Sequence, residues 1–202
     1  MSGLQEEWSM NVCIYGASST ALDDVYYRES EKLGEQLAKN GYGLVFGAGN
    51  RGLMGSAARG AHAGDGYILG IVPSFFDMPG VIYQDCTELI TTETMRERKQ
   101  LMEEHSDAIV VLPGGIGTFE EFFEIYTLKQ LGRVRHPIII FNINRYYDPL
   151  LAMLEHAVRE HFLDEEAMQL FVISNSVEEV IETLKNSDQL SDTQYRKYEN
   201  MQ

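Results

Sequence analysis

The sequence predicts a doubly wound α/β fold, a single parallel sheet with helices on both faces, and three observations carry that expectation. Short apolar runs alternate with longer stretches of helical period, the pattern of repeated βαβ units. The runs are short and apolar or β-branched, with turn residues at their ends. Several runs end in Gly or small hydroxyl residues that lead directly into a helical stretch.

The strand candidates in chain order are Asn11–Tyr15, Gly43–Phe46, Tyr67–Val72, Glu88–Thr91, Ala108–Leu112, Pro137–Phe141 and Leu170–Ile173. Each is a short apolar or β-branched run bounded by turn residues. Helix candidates fall near 24–40, 52–63, 93–106, 118–131, 148–161 and 176–186. Segment 73–87, with Pro73, Pro79 and Gly80, lacks a period and reads as a long loop over one end of the sheet, where lids and binding loops are found. The predicted organisation is a polar extension at 1–9, one domain at 10–186 and a polar tail at 187–202 on which the pattern imposes no structure. A chain of 202 residues with 44% hydrophobic composition supports one well-buried core.

A formal charge of −15 opposes association with nucleic acid or an anionic membrane, since both rest on clustered Lys and Arg. A phosphate must therefore be held by a small local site. Cys13 inside an apolar run and Cys86 in a loop read as reduced thiols. With no bilayer-length apolar run, the expectation is a soluble, cytoplasmic protein.

Three glycine loops follow strands: Gly16-Ala17-Ser18-Ser19, Gly47-Ala48-Gly49-Asn50-Arg51-Gly52 and Gly114-Gly115-Ile116-Gly117-Thr118. In a parallel sheet all three emerge at the carboxyl edge, where ligands bind at the switch point, so they are expected to converge on one crevice. The second spells G-x-G-x-x-G, which opens a dinucleotide reading. The acidic ribose partner of that motif is missing, because the next strand ends Gly70-Ile71-Val72-Pro73. A tight turn with close packing is the alternative. The third loop leads into a helix whose free N–H groups and positive dipole end face it, an anion site by construction. It lacks the Gly-Lys-Ser/Thr of triphosphatase loops, and a monophosphate ester suits it better.

Helical phase sorts the charges beside these loops. Glu121 shares a stripe with Ile125 and Leu128, next to the apolar face of Phe122, Ile125 and Tyr126, whereas Glu120 and Glu124 point elsewhere. Burial there would make the Glu121 carboxylate chemically useful. The alternative is a capping box, with Thr118 as the cap and Glu121 reaching back to its N–H. On the preceding helix Arg98 and Lys99 fall between Met95 and Met102, while Arg96 and Glu97 turn away. Arg98 and Lys99 either snorkel over apolar surface or aim a guanidinium fork and an ammonium at a phosphate or ribose. His62, His105, His136, His156 and His161 show no metal-ligand spacing. No Gly-x-Ser-x-Gly elbow is present.

With these motifs in place, the chain resembles the LONELY GUY family, the cytokinin riboside 5′-monophosphate phosphoribohydrolases and their bacterial relatives, often labelled lysine decarboxylases. The resemblance runs from about Asn11 to Leu184. It is carried by Pro-Gly-Gly-x-Gly-Thr-x-x-Glu at Pro113 to Glu121 and by Met-x-x-Arg-Lys at Met95 to Lys99. Supporting matches are Gly52-Leu53-Met54-Gly55, Gln130-Leu131-Gly132, Phe141-Asn142-Ile143-Asn144 and Tyr146-Tyr147-Asp148-Pro149-Leu150-Leu151. The resemblance implies a Rossmann-like fold, release of free base and ribose 5-phosphate from a nucleoside 5′-monophosphate, no metal or redox cofactor, and a homodimer with its site near the interface. It implies Arg98 and Glu121 as catalytic residues. It implies substrate contacts from Lys99, Gly114, Gly115, Ile116, Gly117, Thr118, Glu120 and Thr127. A pyridoxal decarboxylase needs a Schiff-base lysine, commonly preceded by His, and none of the six lysines follows one.

Departures from the family pattern cluster where the base should lie. Gly-Gly-Gly has become Gly47-Ala48-Gly49, the usual His before x-Arg-Lys is Arg96, the Trp after Thr127 is Leu128, and Gly80 stands near an acidic position of the plant members. Two readings from other classes stay open, a non-catalytic nucleotide-binding protein and a nicotinamide-dependent oxidoreductase.

Overall fold

The computed structural model describes residues 8–187 apart from Asp77 and Pro79. Most of the predicted N-terminal extension and C-terminal tail therefore lies outside the described residues. Seven strands form one sheet: β1 (Met10–Tyr15), β2 (Tyr42–Phe46), β3 (Ile68–Pro73), β4 (Glu88–Thr92), β5 (Ala108–Val111), β6 (Ile138–Phe141) and β7 (Val172–Ser174). Their order is β4-β3-β2-β1-β5-β6-β7, and every pairing is parallel. The chain winds outward from β1 in one direction and then from β5 in the other. The switch point therefore lies between β1 and β5, at the exits to the first and third glycine loops.

Six helices accompany the sheet among the described residues: α1 (Asp24–Lys39), α2 (Gly52–Ala63), α3 (Met95–Glu104), α4 (Ile116–Gln130), α5 (Asp148–Arg159) and α6 (Val177–Lys185). Alternate strand residues serve opposite faces. Val12, Ile14, Leu44, Phe46 and Val110 pack with Leu33 and Leu37 of α1, Leu53 and Ala57 of α2, and Val180 and Leu184 of α6. Cys13, Tyr15, Val45, Ile109 and Val111 pack with Met102 of α3, Phe122 and Ile125 of α4, and Leu154 of α5. Two faces of one sheet thus hold two cores, as the alternation of apolar runs with helical stretches predicts.

Most boundaries shift by a residue or two from the sequence expectation, and one shift changes the chemistry. Helix α3 is shorter at both ends than 93–106 because Thr94 caps it, its hydroxyl accepting from the Glu97 N–H at 3.1 Å. The Glu97 carboxylate returns to the Glu93 N–H at 2.8 Å. Ser176 and Glu179 cap α6 in the same manner. Strand β7 starts at Val172 because Leu170 closes a 3₁₀ turn, Glu165–Leu170. Helix α4 begins at Ile116, two residues before the expected start, with Gly115 as its N-cap.

The connection from β3 to β4 contains a 3₁₀ turn at Ser74–Phe76 and no α-helix among its described residues. It is tied down near its far end, where Asn50 N–H donates to the Val81 carbonyl at 2.8 Å and Tyr83 N–H to the Ala48 carbonyl at 2.8 Å. No helix among the described residues is long and apolar enough to cross a membrane.

Candidate active site

The three glycine loops meet at the carboxyl edge of the sheet around a cleft of about 670 Å³, a size that suits a small-molecule ligand. Gly16–Ser19 and Gly47–Gly49 form one side, Gly115–Thr118 another, and Arg98 and Glu121 lie in the lining between them. The predicted convergence is thus present, with the switch point at its centre.

The third loop is the N-terminal end of α4. Gly115 and Gly117 have open space where a Cβ would stand, so a ligand can approach the backbone there. Gly114 lies beneath the loop, and a Cβ on it would sit 2.1 Å from the Thr118 hydroxyl oxygen. Because the helix starts at Ile116, the N–H groups of its first turn, through Thr118, have no intrahelical partner. The early start also removes the capping-box reading. Thr118 is the third helical residue and buried, and Glu121 lies one further turn in, free of any capping duty.

Arg98 is the centre of the opposite wall. It is only 7% exposed. Its Nε donates to the Ile71 carbonyl at 3.2 Å, and its Nη2 stands 4.0 Å from Glu121 Oε1. The Thr94 cap fixes the rotational phase of α3, turning Glu97 outward and Arg98 inward. The space for its guanidinium comes from Gly47, where an added Cβ would fall 1.7 Å from Arg98 Nη2. The G-x-G-x-x-G sequence therefore serves packing. Its first glycine admits an arginine, and its last, Gly52 at φ +66°, brings the backbone against Ala17, whose carbonyl a Cβ would approach to 2.2 Å. Ala48 between them is held at φ 55°, a conformation that favours glycine.

Glu121 is almost enclosed, with 12% of its side chain exposed. Burial pushes its carboxyl pKa up to about 7, against the opposing pull of the Arg98 guanidinium. The same burial pushes the thiol of Cys13, beneath the site, up to about 12. Cys13 and Cys86 are free thiols, as the sequence predicts.

Other expected site residues are placed differently. Lys99 does not line the cleft. Its ammonium is held by Glu120 at 2.5 Å and Glu124 at 2.7 Å on the outer side of α4. Burial disfavours that charge, but the two carboxylates outweigh it and raise the lysine above its ordinary range. Helical phase alone placed Lys99 beside Arg98, and the tertiary contact with α4 draws it away. Glu120 borders the cleft but is committed to Lys99. Thr127 is exposed, its hydroxyl donates to the Phe123 carbonyl at 2.7 Å, and it lies outside the cleft lining. Four histidines are exposed and His136 is half-buried. No cluster of His, Cys, Asp and Glu suited to a metal occurs among the described residues.

The apolar remainder of the lining includes Met54, Phe76, Val81, Ile82 and Met95. Met54 and Met95 belong to motifs quoted above, without a role in the lining, and Phe76, Val81 and Ile82 carry no motif. Their scattered positions give no local signal beyond the long loop that supplies three of them.

A family model described as "possible lysine decarboxylase" matches residues 54–184. A cytokinin riboside 5′-monophosphate phosphoribohydrolase of Arabidopsis thaliana is 33% identical over 174 residues, 86% of this chain and 82% of that protein. One from Rhodococcoides fascians is 36% identical over 162 residues, 80% and 82% of the two chains. Among solved structures, the molybdenum cofactor carrier protein of Chlamydomonas reinhardtii superposes with a TM-score of 0.67 at 18% identity, covering 89% of this chain and 98% of that one. The molybdenum cofactor binding protein of Rippkaea orientalis gives 0.65 at 22%, covering 87% and 94%. At those identities the likeness speaks for the fold alone. The relatives and the matched model together place the sequence: this chain belongs to the cytokinin riboside 5′-monophosphate phosphoribohydrolase family, whose model carries the decarboxylase description.

Proposed function

We propose that the chain hydrolyses the N-glycosidic bond of a nucleoside 5′-monophosphate, giving free base and ribose 5-phosphate. The observation that carries the reading is the enclosed Glu121 carboxylate beside Arg98, one helical turn from the open N-terminal end of α4. The phosphate docks on the N–H groups of Gly115–Thr118, and Arg98 adds the compensating charge. Anchoring the 5′ end brings C1′ of the ribose toward Glu121.

As the bond from C1′ to the base nitrogen breaks, its electron pair leaves with the base and the ribose gains oxocarbenium character. The carboxylate stabilises that cation and orients the attacking water, as in other glycoside hydrolyses. The water oxygen bonds to C1′, one of its protons remains on the new hydroxyl, and the other ends on the base. A group with a pKa of about 7 accepts and returns that proton at neutral pH. These steps call on no metal or redox cofactor. Decarboxylation through a lysine Schiff base finds no support, since no lysine among the described residues lines the cleft.

Within this reading Arg98 and Glu121 are catalytic, and Gly114, Gly115, Ile116, Gly117 and Thr118 form the phosphate loop. Lys99, Glu120 and Thr127 would touch substrate only after the Lys99 ion pairs open or a second copy closes over α4. A homodimer over α4 is supported by exposed apolar residues at its two ends, Ile116 at the cleft mouth, 81% exposed, and Leu131 at the C-cap, 45% exposed, with exposed Thr127 between them. We assign the reaction to one domain at 10–186 in a cytoplasmic protein. The apolar wall of Phe76, Val81, Ile82 and Met95 favours a base with an apolar substituent such as an N6-substituted adenine.

The test is a panel of nucleoside monophosphates, diphosphates and unphosphorylated nucleosides assayed for base and ribose 5-phosphate release. Monophosphates alone should be cleaved. Absence of release from AMP and every N6-substituted analogue overturns the proposal in favour of a non-catalytic nucleotide site.

A further inference from the structure

Three consecutive carbonyls beneath the phosphate loop are each held by a separate donor. The Tyr147 hydroxyl donates to the Leu112 carbonyl at 2.7 Å, the Ala17 N–H to the Pro113 carbonyl at 3.0 Å, and the Tyr146 hydroxyl to the Gly114 carbonyl at 2.6 Å. In a trans peptide the C=O of one residue and the N–H of the next point in opposite directions. Holding the Gly114 carbonyl on the tyrosine side therefore turns the Gly115 N–H to the other side, toward the cleft that Gly115 lines. The Gly114-Gly115 peptide has glycine on both sides and no Cβ to resist rotation, so without that bond it is the unit of the loop most free to flip.

The segment presenting the tyrosines is itself tightly constrained. Asn144 and Arg145 both adopt left-handed conformations, at φ 51° and 59°, a strain that persists only where the surroundings impose it. The Asn142 side chain imposes it here, accepting from the Tyr147 N–H at 2.7 Å and donating to Asp148 at 2.8 Å. Arg145 donates to the other oxygen of Asp148 at 2.6 Å. The Tyr146 ring rests edge-on against Tyr26 and Tyr147.

We propose that Tyr146 is a positioning residue for phosphate recognition, its hydroxyl latching the Gly114-Gly115 peptide so that the Gly115 N–H faces the phosphate, with Tyr147 anchoring the same loop at Leu112. The proposal rests on the phosphate-loop reading above and adds the element that orients it.

The test is Tyr146→Phe, which removes one oxygen from a ring that is 38% exposed and leaves the packing in place. Ribose 5-phosphate binding, measured by calorimetry without turnover, should weaken about tenfold, the size of one net hydrogen bond. KM for a nucleoside monophosphate should rise by a similar factor with kcat within twofold, because phosphate contacts act alike in ground and transition states. Adenine affinity and thermal midpoint should stay at parent values. Tyr147→Phe should lower both ribose 5-phosphate affinity and the thermal midpoint, because its buried hydroxyl leaves Leu112 O unpaired. Unchanged ribose 5-phosphate affinity in Tyr146→Phe, an equal weakening of adenine, or failure of the parent protein to bind ribose 5-phosphate overturns the proposal. A parent that binds ribose 5-phosphate but cleaves no monophosphate overturns the hydrolysis instead, leaving Tyr146 to be judged on affinity.

Discussion

Replacing Gly47 by alanine should disable the site through a residue fifty-one positions away in sequence. The new methyl would lie 1.7 Å from Arg98 Nη2 and 2.7 Å from Cζ, where ordinary contact begins at 3.4 Å. The guanidinium must therefore retreat by about 1.7 Å, the difference between contact and overlap. Retreat breaks the bond from Nε to the Ile71 carbonyl, a buried charge-assisted bond worth about 1.5–3 kcal/mol. Replacing glycine offsets about 0.4–1 kcal/mol of that by restricting the unfolded chain, so a net loss of about 1–2 kcal/mol is expected. Activity should suffer more, since a misplacement of about 1 Å in a catalytic constellation costs on the order of 10²-fold in rate.

The assay is kcat/KM for base release from a monophosphate, with urea unfolding alongside. A double-mutant cycle supplies the control. In an Arg98→Ala background the methyl has nothing to displace, so Gly47→Ala should then cost neither stability nor residual rate. Parent-like turnover in Gly47→Ala, or the same loss of stability in both backgrounds, would refute the reasoning.

Three other outcomes follow from the same geometry. The folded chain holds the Glu121 proton more tightly than the unfolded chain, so parent stability should fall as pH rises from 4.5 to about 7, by about 3 kcal/mol at 1.36 kcal/mol per pH unit. Glu121→Gln should abolish that slope in denaturation curves, gain stability at pH 8, and lose base release while keeping nucleotide affinity. Gly117→Ala places a methyl in open space at the mouth of the loop, so its thermal midpoint should stay within a few degrees of the parent while ribose 5-phosphate binding falls at least tenfold by calorimetry. Lys129 is buried at the end of α4, donating to the His136 carbonyl at 2.8 Å, and desolvation lowers its pKa to about 8. Its unfolded form holds the proton more tightly, so parent stability should rise between pH 8 and about 9, above which the buried Cys13 and Cys86 thiols, held protonated by the fold, reverse the trend. Lys129→Met should match the parent within about 1 kcal/mol at pH 7, with loss of the bond offset by loss of the buried charge, and should lack the alkaline rise.

The strands were legible because parallel strands buried on both faces must be apolar throughout, which Val12–Tyr15 and Ile138–Phe141 are. Convergence of the loops followed from strand direction alone. Glu121 and Arg98 were legible because helical phase survives an error in where a helix starts. Moving the start of α4 from Thr118 to Ile116 changes the cap and leaves Glu121 on the same stripe as Ile125. Partners drawn from distant chain segments were not legible. Lys99 has the same local pattern whether it faces a phosphate or the carboxylates of Glu120 and Glu124. Gly47 reads as part of a dinucleotide motif until Arg98 is seen against it. Tyr146 and Tyr147 enter only as part of a match to the family, because no local pattern reveals where a hydroxyl will end.

The connection between β3 and β4 is the crossover without an α-helix among its described residues, and it supplies Phe76, Val81 and Ile82 to the cleft. The opposite end of the cleft is built on β5, α4 and a network of held carbonyls. The two ends therefore differ in how freely mutation can explore them. Phe76 is 37% exposed and has room for side chains of other sizes, whereas changes at Gly114 or Gly47 collide at once with Thr118 or Arg98. A lineage could diversify the molecules it accepts through one short stretch of chain while inheriting the reaction unchanged.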